Sequence, residues 1–221
     1  MTSGKITKND VGKTVYLSNS FTKCQEWRIA DINHAGTSGT VDLFPKYVLG
    51  AVDCIANSSS YDPTYCRTQI HDALYVNSKT YPCVYNGFSS EVKNAMLKIK
   101  YPYYAASSGF PTKLNTDLEE YVVAPSLKEI GIDYSYNYPT LSEMLLEGEL
   151  YPLFGSELGK SNPLAGLKVM SGDEIGYISR TFVDGIRYGS TVMQILYNGI
   201  RCDTVSYGSG GYAGFIRFGK Q

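Results

Sequence analysis

The polar and apolar positions of this chain alternate in short runs far more often than they repeat at helical spacing. Glu26–Ile32 (EWRIADI) alternates, with Trp27, Ile29 and Asp31 on one face, and Lys13–Ser18 (KTVYLS) reads as a strand after a glycine turn. Val41–Val52 is apolar but broken by Pro45 and Gly50, which predicts two short strands or one bulged strand. Tyr121–Ala124 predicts another short strand. The densest cluster comes last, with strands at Ile175–Phe182, Thr191–Tyr197, Gly199–Ser206 and Ala213–Phe218.

Helical spacing occurs twice. Thr64–Val76 carries an apolar stripe through Ile70, Ala73 and Leu74 behind an Asp62-Pro63-Thr64 start. Ser90–Ile99 places Val92, Ala95, Met96 and Ile99 on one face, with Ser89 or Ser90 as the cap and Glu91 at the positive end of the helix dipole. One helical turn is expected from Pro125 to Gly131, and a short helix at Leu141–Leu146. Lys100–Thr116 reads as an extended connector because of its prolines and small residues, and Asn57–Pro63 as a polar loop. Glu147–Ser171 is irregular, and a segment of that length is expected to pack onto the domain or to serve function. Strands, two helices, long irregular loops and more strands argue for an α+β fold with a mixed, mainly antiparallel sheet. At 221 residues the chain is expected to form a single domain.

Composition sharpens the picture at one point: 20 tyrosines stand against 8 phenylalanines and 1 tryptophan. Tyrosine suits half-buried sheets and contact surfaces. The last loops carry Tyr188, Tyr197, Asn198, Tyr207 and Tyr212 among Ser and Gly, the chemistry of a rigid yet adaptable contact surface. These residues are therefore the candidate ligand-binding residues, in a display region spanning residues 172–221. A net charge of −1 with mixed signs leaves no footprint for nucleic acid. No run is long enough to insert into a membrane.

Candidate chemistry is sparse. The five cysteines (24, 54, 66, 83 and 202) form no close pair, and only His34 and His71 are available beside them. A zinc site is not expected, and an odd, scattered set suits a reducing compartment. The start Met1-Thr-Ser-Gly-Lys has no apolar leader stretch, which is expected of a chain made and folded in a cytosol. His71 has Asp72 beside it, but adjacent helix residues do not face each other, so a surface or packing role is expected. Gly208-Ser-Gly-Gly211 lacks the lysine and helix start of a phosphate loop. No catalytic residue, metal ligand or cofactor is assigned.

Six segments, in order, resemble a family of C-type-lectin-like domains found in phage virion proteins and gut-bacterial surface proteins. Glu26-Trp27-Arg28-Ile29-Ala30-Asp31 with Asn33-His34 is similar to its W-x-[IV]-A-D-x-N-H strand and turn. Tyr65 to Tyr75 resembles its S-x-I-R-x-W-L-N helix, and Gly87-Phe88-Ser89 with Val92–Ala95 its G-F-[ST]-x-x-E-K-x-A helix. Val122–Gly131, Tyr177–Thr181 and Gly214–Arg217 resemble its V-F-L-x-S-x-x-E-[LI]-G, W-W-L-R-[ST] and G-[VF]-R-P segments. Ala73 stands in place of the helix tryptophan, Tyr177 in place of a tryptophan pair and Phe218 in place of the final proline.

The resemblance implies a C-type-lectin-like fold whose C-terminal strands and loops form a binding face. It also implies relatedness to variable proteins of diversity-generating retroelements and to the formylglycine-generating-enzyme type of fold. Calcium-type lectin signatures are absent, and the cysteine pair of the formylglycine-forming enzymes is reduced to Cys202. The expected function is a non-enzymatic phage virion structural protein, either a tail or baseplate adhesin or a head decoration. It would assemble in the host cytoplasm as a symmetric oligomer, with other virion proteins and a host cell-surface protein or glycan as partners. Docking is expected through the N-terminal strands or the Tyr/Pro-rich stretches Tyr101–Phe110 and Tyr134–Tyr138. A bacterial binding module of the same fold is the alternative. Trp27, Arg180 and Arg217 are expected to be structural, Trp27 as a core anchor and the arginines as locks between neighbouring terminal strands, since a buried guanidinium must be paired.

Overall fold

Three antiparallel arrangements carry the fold in the computed structural model, which describes residues 6–52, 69–75, 83–107, 110–133, 148–168, 170, 176–183, 191–195, 201–203 and 210–219. The first is a six-stranded sheet in the order β1 (Thr14–Tyr16), β2 (Glu26–Ile32), β3 (Thr40–Pro45), β13 (Phe215–Gly219), β5 (Met96–Leu97). Its sixth member, β8 (Val122–Val123), also pairs with β13. The second sheet runs β11 (Arg201–Asp203), β10 (Thr191–Ile195), β9 (Tyr177–Val183), β12 (Gly210–Tyr212), β4 (Gly50–Val52). Only its β12–β9 contact is parallel. The third is a hairpin of β6 (Ile99–Ser107) and β7 (Phe110–Glu120). Among the described residues the α-helices are α1 (Gln69–Leu74) and α2 (Ser90–Ala95). The architecture is α+β and mainly antiparallel.

β2 begins and ends where alternation predicts, and Trp27 is fully buried, its ring 5.9 Å from that of Phe88. A register irregularity between Ile29 and Asp31 turns Ala30, Asp31 and Ile32 all inward. The apolar region after it holds two strands, β3 and β4, broken after Pro45 as the proline predicts.

Three expectations are corrected. The second helix stops at Ala95, because Met96 takes an extended conformation (φ −75°, ψ 144°) and pairs with Phe218. The apolar stripe through Met96 and Ile99 therefore belongs partly to strands. The connector over 100–116 is instead the β6–β7 hairpin, with Tyr101 fully buried within it. The C-terminal strands do not form one cluster: β9 to β12 lie in the second sheet, whereas β13 is inserted beside β3 in the first. Arg180 on β9 and Arg217 on β13 are thus in different sheets and not on neighbouring strands.

The irregular segment after residue 147 is packed down. Over residues 148–168 it makes two short 3-10 turns, Pro152–Phe154 and Pro163–Ala165, and buries Tyr151, Leu153, Phe154, Ala165 and Leu167 in the main apolar cluster. Residues 134–147, including the short helix expected at 141–146 and the stretch 134–138, lie outside the described residues, as does the loop expected at 57–63.

Candidate functional site

Four of the five residues expected to contact a ligand, Tyr188, Tyr197, Asn198 and Tyr207, lie outside the described residues. Tyr212 is described, and it occupies strand β12 rather than a loop. Its partner in register is Gly50. A β-carbon built on Gly50 would fall 2.1 Å from the Tyr212 hydroxyl oxygen, so the glycine makes room for the phenol. Burial raises the pKa of that half-buried phenol.

The two arginines are buried in ion pairs. Arg180 donates from Nη1 and Nη2 to the Glu129 carboxylate, both at 2.7 Å, from Nη1 to the Ala124 carbonyl at 2.6 Å and from Nε to the Pro102 carbonyl at 3.2 Å. Its own backbone N–H donates to the Pro125 carbonyl. Glu129 is held ready by the turn over residues 126–131, where its carboxylate accepts from the Ser126 N–H and its N–H donates to the Ser126 hydroxyl. This reciprocal pattern is a capping box. Arg180 thereby ties the second sheet to the turn that leaves the first, and to β6.

Arg217 donates from Nε and Nη2 to Asp42 at 2.6 and 2.7 Å, across the β13–β3 pair in which the two residues are in register. Burial by itself would lower the arginine's pKa, but the hydrogen bonds and charge of Asp42 carry it above the ordinary value. Asp42 also accepts from the Tyr151 hydroxyl at 2.9 Å. The Tyr151 ring lies between two others, stacked on His34 at 3.5 Å and on Phe215 at 4.0 Å between centroids. His34 in turn meets the Asp31 carboxylate through Nδ1 at 3.0 Å. An Asp31–His34 pair, a three-ring stack and an Asp42–Arg217 pair thus form one continuous buried array.

Sequence reasoning missed Asp42, Glu129 and Tyr151. Tyr151-Pro152-Leu153-Phe154 is an apolar island in a Gly/Pro-rich stretch, and that contrast was the available signal for Tyr151.

The array forms one wall of a cavity of about 510 Å³. His34, Tyr151 and Arg217 line it, together with Lys100, Lys128 and Glu149. Two non-glycine residues of the turn beside it have left-handed backbones, Asn33 (φ 60°) and Ala35 (φ 51°), and Ala35 itself lines the cavity. Gly148, also in the lining, has φ 105°, and a β-carbon there would fall 2.3 Å from Glu129 Oε1. Only glycine satisfies both constraints.

His71 is buried, so of the two roles expected of it, surface or packing, it takes the packing one. Its Nε2 lies 2.5 Å from Glu120 Oε1, joining α1 to the end of β7. Cys24 and Cys83 are buried free thiols whose pKa values burial raises. Cys54 and Cys66 lie outside the described residues, and Cys202 falls within β11. No group of three or more His, Cys, Asp or Glu placed to hold a metal occurs among the described residues. No helix among them is long and apolar enough to cross a membrane.

No family model, curated protein or solved structure matches this chain.

The buried phenols make the fold sensitive to alkali. Burial and the nearby Asp42 and Glu129 charges hold Tyr151 well above the ordinary phenol value, and burial does the same for Tyr177. In the unfolded chain both phenols titrate near pH 10, as free tyrosine does. Above about pH 10 the unfolded state then binds fewer protons than the folded one, so stability is full below that pH and falls as pH rises. Urea midpoints measured between about pH 9 and pH 11 should decline, and Tyr151→Phe should decline less steeply. An unchanged slope in Tyr151→Phe would remove this phenol from the account.

Proposed function

We propose that the chain is a non-enzymatic phage virion structural protein with a C-type-lectin-like fold, exposed on the particle as a tail or baseplate adhesin or a head decoration. One observation carries the reading: four charged residues of the family-like motifs, Asp31, Glu129, Arg180 and Arg217, are committed to holding the scaffold together. Arg180 and Arg217 each give a bidentate pair to a buried carboxylate, and Asp31 of the early strand motif engages His34. A scaffold that commits these charges to fixing its interior suits recognition rather than turnover. The mainly antiparallel α+β architecture supports the lectin-like reading at the level of fold class.

In this reading the protein is a symmetric oligomer in the particle, assembled in the host cytoplasm. One surface docks on other virion proteins and another meets a host surface protein or glycan. The edge strand β1, with Tyr16 72 % exposed and Phe21 nearby 47 % exposed, offers aromatic area suited to the docking side. Mass spectrometry of purified, salt-washed particles should find the chain at a fixed ratio to the major head or tail protein. Its absence from washed particles would refute the virion reading and leave a bacterial binding module of the same fold.

A further inference from the structure

The cavity beside the His34–Tyr151–Arg217 wall has the size of a small-molecule site, at about 510 Å³. Its charges fall into two sets. Arg217 is matched by Asp42 and Glu129 by Arg180, so these four are electrically satisfied within the protein. Lys100, Lys128 and Glu149 also line it, and none of their side chains makes a hydrogen bond or ion pair with another described residue. On His34 the Asp31 carboxylate engages Nδ1, while Nε2 has no hydrogen-bond partner among the described residues. Ile99 and Pro102 add an apolar edge. The wall is also strained at Ala35, which holds a left-handed backbone (φ 51°) that a β-carbon disfavours. Strain of that kind gathers at binding sites, where surrounding structure enforces it.

We propose that this cavity binds a small sugar acid, a uronic-acid unit. The two lysines supply charge for one carboxylate, Glu149 and His34 Nε2 suit ring hydroxyls, and Ile99 with Pro102 suits the C–H face of a pyranose. A bare inorganic anion would leave the carboxylate of Glu149 opposed to it, and a neutral sugar would leave both lysines unused. The site is separate from the C-terminal loops and does not depend on the chain being a virion component.

The test is an amide NMR titration of the whole chain with glucuronate, glucose and inorganic phosphate as separate probes. Glucuronate should shift the amides of residues 35–37 and 128–129 in a saturable way, with a Kd on the order of 1 mM. Glucose and phosphate should each bind at least about tenfold more weakly. Lys128→Gln, at a half-exposed position where the fold should be unaffected, should weaken glucuronate binding about tenfold by removing a charge-assisted hydrogen bond. Glu149→Gln should leave it equal or tighter. Equal affinity for glucose, equal affinity for phosphate, no saturable shift, or an unchanged affinity in a folded Lys128→Gln would each overturn the proposal.

Discussion

Arg180→Met should lower the unfolding free energy by about 3–5 kcal/mol, the range for removing one partner of a buried ion pair. The Arg180 side chain is wholly buried and that of Glu129 nearly so. Methionine follows the course of the arginine stem but donates nothing. The Glu129 carboxylate would keep the Ser126 N–H at 3.0 Å and lose both guanidinium bonds, and the Ala124 and Pro102 carbonyls would lose theirs. Solvent reaches this pair too little to screen the loss. In a chain of this size the change corresponds to a fall in Tm of roughly 6–20 °C. The measurement is a urea midpoint shift at constant m-value. Adding Glu129→Met should restore part of the stability, since two apolar side chains of similar volume replace the buried charge. A loss below about 1 kcal/mol in Arg180→Met would mean that β9 is held to the 126–131 turn by its backbone bond to Pro125 and not by this side chain.

What could be read from the sequence, and what could not, divides along the range of the interactions. Alternation located β2 to the residue, because one face of that strand is buried and period two is a local property. The inward turn of Ala30 was hidden, because a register irregularity answers to the partner strand. The β6–β7 hairpin was read as a connector because Pro102 and Pro111 argue against strands. Its pairing register shifts between Tyr101 and Tyr103 and again between Ala105 and Ala106, and Ala106 lies opposite Pro111. The irregular register accommodates the prolines that local reasoning took as breakers. Arg180 and Arg217 were singled out from their strand motifs, but Glu129 is 51 residues from the first and Asp42 is 175 from the second. Nothing local marks a carboxylate as the partner of an arginine that far away. The assignment of β13 to the first sheet was hidden for the same reason. Its composition is that of any buried strand, and only its pairing with Leu43, Asp42 and Val41 says where it belongs.

Asp42→Asn should be nearly as damaging, at about 3–4 kcal/mol, although the substituted side chain has the same shape. The aspartate side chain is fully buried and receives three hydrogen bonds, two from Arg217 and one from the Tyr151 hydroxyl. Asparagine keeps one acceptor oxygen, turns an NH₂ toward donors and leaves the Arg217 guanidinium without a counter-charge. Tyr151→Phe keeps both ring stacks and removes only the hydroxyl, so its cost should be about 1.5–3 kcal/mol, that of a hydrogen bond to a charged group. The decisive quantity is the coupling between the two. Once Asp42 is asparagine, the Tyr151 hydroxyl faces a neutral, misoriented partner, and removing it should cost less than about 1 kcal/mol more. A double-mutant cycle on unfolding free energies should therefore depart from additivity by more than about 0.5 kcal/mol. Additivity within about 0.5 kcal/mol would sever the link between the tyrosine and the ion pair. The His34–Tyr151–Phe215 stack would then stand as packing alone, and the buried array would be two separate clusters rather than one joint between the irregular segment and the central strands β3 and β13.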